Sequence, residues 1–195
     1  MITVRSFEPP KTDKSEILRY AGCTSDTPEI DKLINECIGE TSDMLSYRVC
    51  YQEYDIVRCG GFLTFGSIKT DSDTIKKALG GCERVLIFAA TVGVELDRAI
   101  LRYSRIQPSR ALMLQALGAE RIESLCNMFC REMKLRPRVS PGYGDIPLDM
   151  QRDIFSMLDC SRKIGLTLNG QLIMSPSKSV TALAGSGDVS IEGQS

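Results

Sequence analysis

From Pro108 to about Leu135 the chain carries one continuous helical pattern with two apolar faces, and this stretch limits the fold more than any other. Leu112, Ala116, Ala119, Ile122, Cys126, Phe129 and Met133 form one stripe; Leu114, Leu117, Leu125 and Met128 form a second. A helix about 40 Å long that is apolar on two sides cannot lie on a surface. It must be covered by a sheet on one side and by other helices on the other. Gly118 weakens the helix locally, and a close packing contact is the reason to keep so small a residue there.

The sheet that such a helix needs is written in short segments. Arg84-Val85-Leu86-Ile87-Phe88-Ala89-Ala90 is an apolar run of strand length, which predicts burial on both faces and a place at the centre of the sheet. Tyr47 to Tyr54 alternates with period two, and Gly60-Gly61 leads into Phe62-Leu63-Thr64-Phe65 as a strand with a flexible or bulged entry; the two are expected to be antiparallel neighbours. Further strands are expected over 164–168, 172–174 and 179–183, the first two joined at Asn169-Gly170, a strong hairpin signal. Helices are expected after Thr27, an N-cap followed by Pro28, with Ile30, Leu33, Ile34, Cys37 and Ile38 inward. Others are expected over 71–79, after Gly93 with Val94, Leu96, Ile100 and Leu101, and over 147–158 with Met150, Ile154, Phe155 and Leu158 inward. The fold class is α+β: a largely antiparallel or mixed twisted sheet flanked by helices, one of them long and central. The 195 residues suit a single domain over 1–185, with a small, polar tail from about Gly185 onward expected to be disordered.

Several function classes are disfavoured. A formal net charge of -1 gives no electrostatic footprint for nucleic acid. The start lacks a basic region and apolar core of signal-peptide type, and no run of 18 apolar residues could span a bilayer, so a cytoplasmic protein is expected. The eight cysteines are dispersed without a Cys-x-x-Cys pair and read as reduced small hydrophobes; Cys126 and Cys130 share a helix face, but nothing completes a metal set. With no histidine, imidazole catalysis and histidine metal ligation are excluded for this chain. Thr91-Val92-Gly93 before a helix resembles anion-binding geometry only loosely, and a plain turn is the simpler reading.

The candidate site is Arg138-Val139-Ser140-Pro141-Gly142-Tyr143-Gly144-Asp145, with Pro137 before it. Prolines stiffen this loop, glycines let a ligand approach the main chain, and Arg138 can hold a carboxylate. The same residues also suit a rigid connector after a helix.

Taken in order, Ala119-Glu120-Arg121, Arg138-x-Ser140-Pro141-Gly142-Tyr143, the amphipathic helix after it, Gly165 to Leu168, and Met174-x-Pro176-x-x-Ser179-Val180-Thr181 resemble the activation domain of cobalamin-dependent methionine synthase. The resemblance covers about residues 110–185, and Ala89-Ala90-Thr91-Val92-Gly93 is similar to small freestanding relatives of that domain. It implies binding of S-adenosylmethionine, whose methyl group reactivates cob(II)alamin after reduction by a donor such as flavodoxin. It implies that Arg138 holds the ligand carboxylate, that the backbone at Ser140 and Gly142 lies along the adenosyl group, and that Tyr143 flanks the sugar or base. No catalytic side chain and no bound metal are implied, and cobalamin would be met only through a partner, a methionine synthase or related corrinoid protein. The sequence departs from the family after Tyr143, where Gly144-Asp145-Ile146-Pro147 stands in place of a Pro and a Pro-Asp-His run. Asp145 is the nearest candidate for the ligand ammonium, or else a charge beside a helix start. A docking or regulatory module that binds a corrinoid protein without methyl transfer is the alternative; a cysteine-based redox protein has little support.

Overall fold

The structure, a computed structural model, describes residues 1–187. The chain begins with β1 (Thr3–Phe7), α1 (Lys14–Ala21), α2 (Pro28–Thr41) and β2 (Tyr47–Asp55). A small meander, β3 (Val57–Cys59), β4 (Phe62–Phe65) and β5 (Ile68–Thr70), leads to α3 (Asp73–Ala78) and β6 (Arg84–Thr91). The helical hairpin of α4 (Glu95–Ile106) and α5 (Pro108–Glu132) follows; then, beyond the Pro-Gly loop, come α6 (Met150–Leu158), α7 (Cys160–Ile164), β7 (Thr167–Leu168), β8 (Met174–Ser175) and β9 (Ser179–Ser186).

The main sheet has the order β1-β2-β6-β9, antiparallel throughout, so the α+β expectation holds. β6 is an inner strand buried on both faces. Leu86, Phe88 and Ala90 enter one core with α5, while Val85, Ile87 and Ala89 enter a second with α6 and α7. The helix α5 lies between the sheet and the helices α1, α2 and α4, as its two stripes require. Phe129 on α5 is fully buried, with the rings of Phe7, Tyr51 and Phe88 at 6.1, 5.1 and 5.0 Å. At Gly118 an added Cβ would stand 2.5 Å from Leu96 Cδ2 and 2.9 Å from Lys178 Cγ, which is the close contact expected there.

α5 also carries the most deeply buried charges. Glu120 and Arg121 are 2% and 4% exposed, and Arg121 donates to both carboxylate oxygens of Glu120 at 2.5 and 2.6 Å. Arg121 further donates to the carbonyls of Pro10 (2.7 Å) and Lys11 (3.1 Å), while the Asp13 N–H and the Ser124 hydroxyl donate to Glu120. This network fastens the β1–α1 connection to the central helix. The α1 helix so anchored is capped by the Asp13 side chain and ends at Gly22 in the left-handed region (φ +71), signals the sequence reading passed over.

Five expectations change. β4 is not a neighbour of β2: with positive φ at both positions, Gly60-Gly61 forms a tight turn that folds β4 back on β3. Residue 164 ends α7 and Gly165 caps it (φ +71), so β7 begins only at Thr167. The β7–β8 hairpin exists, but its loop runs from Asn169 to Ile173; the Asn169 side chain accepts from the N–H groups of Gln171 and Ile173 and widens the turn. Leu101 and Leu112 are exposed, because their helical azimuths fall off the buried stripes, and Val94 is exposed as the residue that precedes α4. The small, polar residues Gly185 and Ser186 belong to β9, held by pairing with Val85 and Arg84; the remainder of the expected tail, from 188 on, lies outside the described residues.

Candidate functional site

The loop after α5 enters the site as an extra edge strand. Arg136 donates its N–H to the Gly185 carbonyl (3.1 Å), and Val139 and Leu183 exchange both backbone hydrogen bonds at 2.9 Å. Pro137 has no N–H to offer, which is tolerated at a sheet edge. Val139 packs into the second core, so strand alternation sends Arg138 and Ser140 toward α5. There Arg138 Nη2 donates to Glu123 Oε2 at 2.5 Å and Nη1 to Asn127 Oδ1 at 2.7 Å. Glu123 and Asn127 are one helical turn apart, and both were missed in the sequence; a polar pair at i, i+4 beside an apolar stripe was their signal.

The arginine is the inner member of this pair. Its side chain is 19% exposed against 41% for Glu123, so the carboxylate is the charge presented outward. Behind them, burial pushes the Cys126 thiol well above its ordinary pKa, leaving it a protonated core group. No cluster of three or more potential metal-ligating His, Cys, Asp or Glu side chains occurs among the described residues.

Beyond Ser140 the backbone turns. Pro141 is buried; the Tyr143 N–H donates to the Ser140 carbonyl (3.1 Å), and the Gly142 N–H donates to the Ile146 carbonyl (3.0 Å). Gly142 has φ +85, a conformation that favours glycine, and is exposed, although an added Cβ would stand 3.2 Å from Leu148 Cδ1. The Tyr143 ring is 66% exposed. Gly144 (φ +60) packs against Thr74, whose Oγ1 would lie 2.5 Å from an added Cβ.

Asp145 is turned away from Arg138 and tied to another element. Its carboxylate accepts from the Ser72 hydroxyl (2.6 Å) and from the N–H groups of Asp73 (2.7 Å) and Thr74 (3.2 Å), the first turn of α3. The hydroxyls of Ser72 and Thr74, with those backbone donors, hold the Asp145 carboxyl well below the usual carboxylate range. Asp145 therefore does serve a helix start, but that of α3 rather than of the helix following it. Because the folded-state pKa is depressed, the unfolded chain binds the proton first, and the stabilisation is present above about pH 4 and lost as the pH falls below it. Urea unfolding of the wild type and Asp145→Asn should thus show the wild type more stable near neutral pH, with the gap closing toward about pH 2. A gap independent of pH would contradict this tie.

Gly93 proves to be a turn residue. Its N–H donates to Thr91 Oγ1, its φ is +91, and Ser46 Oγ would stand 2.5 Å from an added Cβ, so the turn is packed on Ser46 and its own N–H is engaged. Of the five predicted site residues, Arg138 and Ser140 flank the bridge of Val139 to β9, and Gly142 and Tyr143 lie in the turn that follows. Asp145 lines a separate depression of about 740 Å³ with Lys69, Asp71, Asp73, Asp149 and Asp153.

No helix among the described residues is long and apolar enough to cross a membrane. No family model and no curated protein sequence matches the chain. Among solved structures it is similar to one described as the MetH reactivation domain bound to AdoHcy, with a TM-score of 0.74. That likeness covers 100% of this chain and 80% of the other at 14% sequence identity, and at that identity it is a likeness of fold.

Proposed function

We propose that this chain binds S-adenosylmethionine and serves in the reductive methylation of cob(II)alamin carried by a separate cobalamin-dependent methionine synthase or related corrinoid protein. The observation that supports the reading is the shared fold with a reactivation domain solved with AdoHcy, taken with the Arg138–Ser140 segment, which is joined to β9 at Val139 and carries Arg138 to Glu123. The side chains suit the ligand in charge and shape. Arg138 and Glu123 act as one unit at the amino-acid end, and Glu123 offers the acidic partner for an ammonium that Asp145, spent on α3, does not. The exposed, side-chain-free backbone at Gly142 lets the adenosyl group approach the main chain, and the exposed Tyr143 offers a surface for sugar or base.

In this role the sulfonium supplies the methyl group and a flavodoxin-like donor supplies the electron. The chain's own task is to orient the ligand and exclude water, which needs neither histidine nor a nucleophile. The protein works in the cytoplasm, where such partners reside. Calorimetric titration of the whole chain with S-adenosylhomocysteine should give a saturable isotherm. Absence of binding, alone and with a corrinoid protein present, would sink the reading.

One observation favours a second reading, a docking module without methyl transfer: four depressions among the described residues, of about 440, 740, 450 and 180 Å³, are lined by residues other than Arg138 to Tyr143. The visible spectrum of cob(II)alamin, followed during reductive methylation with and without the chain, separates the two. Faster appearance of methylcobalamin supports transfer, and an unchanged rate supports docking.

A further inference from the structure

The sequence holds no Cys-x-x-Cys pair, yet the fold makes a cysteine pair of its own. Cys50 on β2 and Cys160 at the start of α7 come from distant parts of the chain, and both are buried in the second core, 0% and 1% exposed. Val49 faces the first core, so strand alternation turns Arg48 and Cys50 toward the side that holds α7. Arg48 Nη2 donates to the Lys163 carbonyl at 2.7 Å, and Lys163 lies one turn beyond Cys160 on α7. From that anchor Cys50 is about 6–7 Å along the strand and Cys160 about 4.5 Å along the helix. The two side chains are thereby carried to the same place. Asp159, in the left-handed region (φ +47), makes the sharp turn from α6 that sets Cys160 there.

Both are free thiols, and they meet. A hydrogen bond between them lowers the pKa of Cys50 and, together with burial, pushes that of Cys160 well above the ordinary thiol range. Cys160 also lines a depression of about 450 Å³ with Phe155, Ser156, Asp159 and Leu166, so the pair is reached from the surface on the α7 side. Two thiols in contact, one of them at the wall of an open depression, are placed for two-electron oxidation.

We propose that Cys50 and Cys160 form a modification site, a dithiol that closes to an intramolecular disulfide when an oxidant of the peroxide class enters that depression, and so clamps α7 to β2. In this step the peroxide O–O bond and both S–H bonds break, while the S–S bond and two O–H bonds form. The sulfurs are oxidised, and the peroxide is reduced to two waters that carry away both thiol hydrogens. The bond closes a very long loop of chain, so the oxidised form is the more stable one. Nothing in this depends on the ligand taken at Arg138.

The test treats the reduced whole chain with hydrogen peroxide, blocks the remaining thiols by alkylation and maps the peptides by mass spectrometry. A peptide pair joined through Cys50 and Cys160 is expected, with two of the eight thiols lost and both restored by dithiothreitol. The oxidised chain should melt about 5 °C or more above the reduced chain. Cys59→Ser, which removes an exposed thiol, should keep the cross-link and the higher melting temperature; Cys160→Ala should lose both. The wild-type peptide map decides the matter even where Cys160→Ala does not fold. Recovery of Cys50 and Cys160 as alkylated thiols after peroxide, or their linkage to other cysteines, overturns the pairing. A cross-link that leaves the melting temperature unchanged overturns the clamp.

Discussion

Replacing Glu120 by Ala should destabilise the chain by about 3–5 kcal/mol, because it leaves the Arg121 guanidinium buried without its counter-ion. Arg121 is 4% exposed, so water cannot substitute for the lost carboxylate, and the Asp13 N–H and Ser124 hydroxyl lose their acceptor in the same step. A domain of this size is typically stable by only about 5–15 kcal/mol, so the loss is a large share of the total. It should appear in thermal melting as a fall of roughly 6–20 °C. The double variant Glu120→Leu, Arg121→Met removes both charges and should be less damaged than Glu120→Ala, since no unpaired ion remains. Equal or greater damage in the double variant would assign the effect to packing and not to the charge. Because Arg121 also holds the Pro10 and Lys11 carbonyls, Glu120→Ala should raise amide hydrogen exchange first in the connection between β1 and α1.

Arg138→Met should leave the fold nearly intact and weaken S-adenosylhomocysteine binding by roughly 10- to 150-fold, the range of a lost charge-assisted contact of about 1.5–3 kcal/mol. The partner left behind, Glu123, is 41% exposed and can be solvated, so the stability cost is small. Binding suffers because Glu123 loses the guanidinium that fixes its rotamer, and the ligand loses the cation behind it. Glu123→Gln should weaken the same ligand while preserving a hydrogen bond to Arg138. Methylthioadenosine, with no amino-acid end, should be indifferent to both changes. A uniform loss for both ligands would indicate that the Arg138 strand had come away from β9.

The parts of the molecule legible in the sequence are those where local pattern and tertiary environment agree. α5 was readable because its two apolar stripes admit no arrangement other than enclosure, and β6 because an unbroken apolar run of that length needs cover on both faces. Pairing was less legible: Phe62 to Phe65 has strand character in either sheet, and only the positive φ of both Gly60 and Gly61 decides that it folds back on β3. Asn169-Gly170 signals a turn correctly, yet the Asn169 side chain binds two backbone N–H groups and lengthens it. The loop's composition pointed to Arg138, Ser140, Gly142 and Tyr143 as candidates, while Glu123 and Asn127, the partners of Arg138, come from α5, brought alongside by the fold. The acidic residue nearest in sequence, Asp145, is spent on α3, which lies 71–73 residues away. Contacts of that separation are set by sheet order and by helix placement, which one local window does not encode.

The most direct measurement of the central claim is a crystal structure of the whole chain with S-adenosylhomocysteine. The ligand is expected between the Arg138–Tyr143 segment and the flank of α5, with its ammonium at Glu123, its carboxylate toward Arg138, and its adenosyl group along the backbone of Ser140 and Gly142. Ligand density in the aspartate-lined depression beside Asp145, or none at ligand concentrations far above any measured dissociation constant, would contradict it.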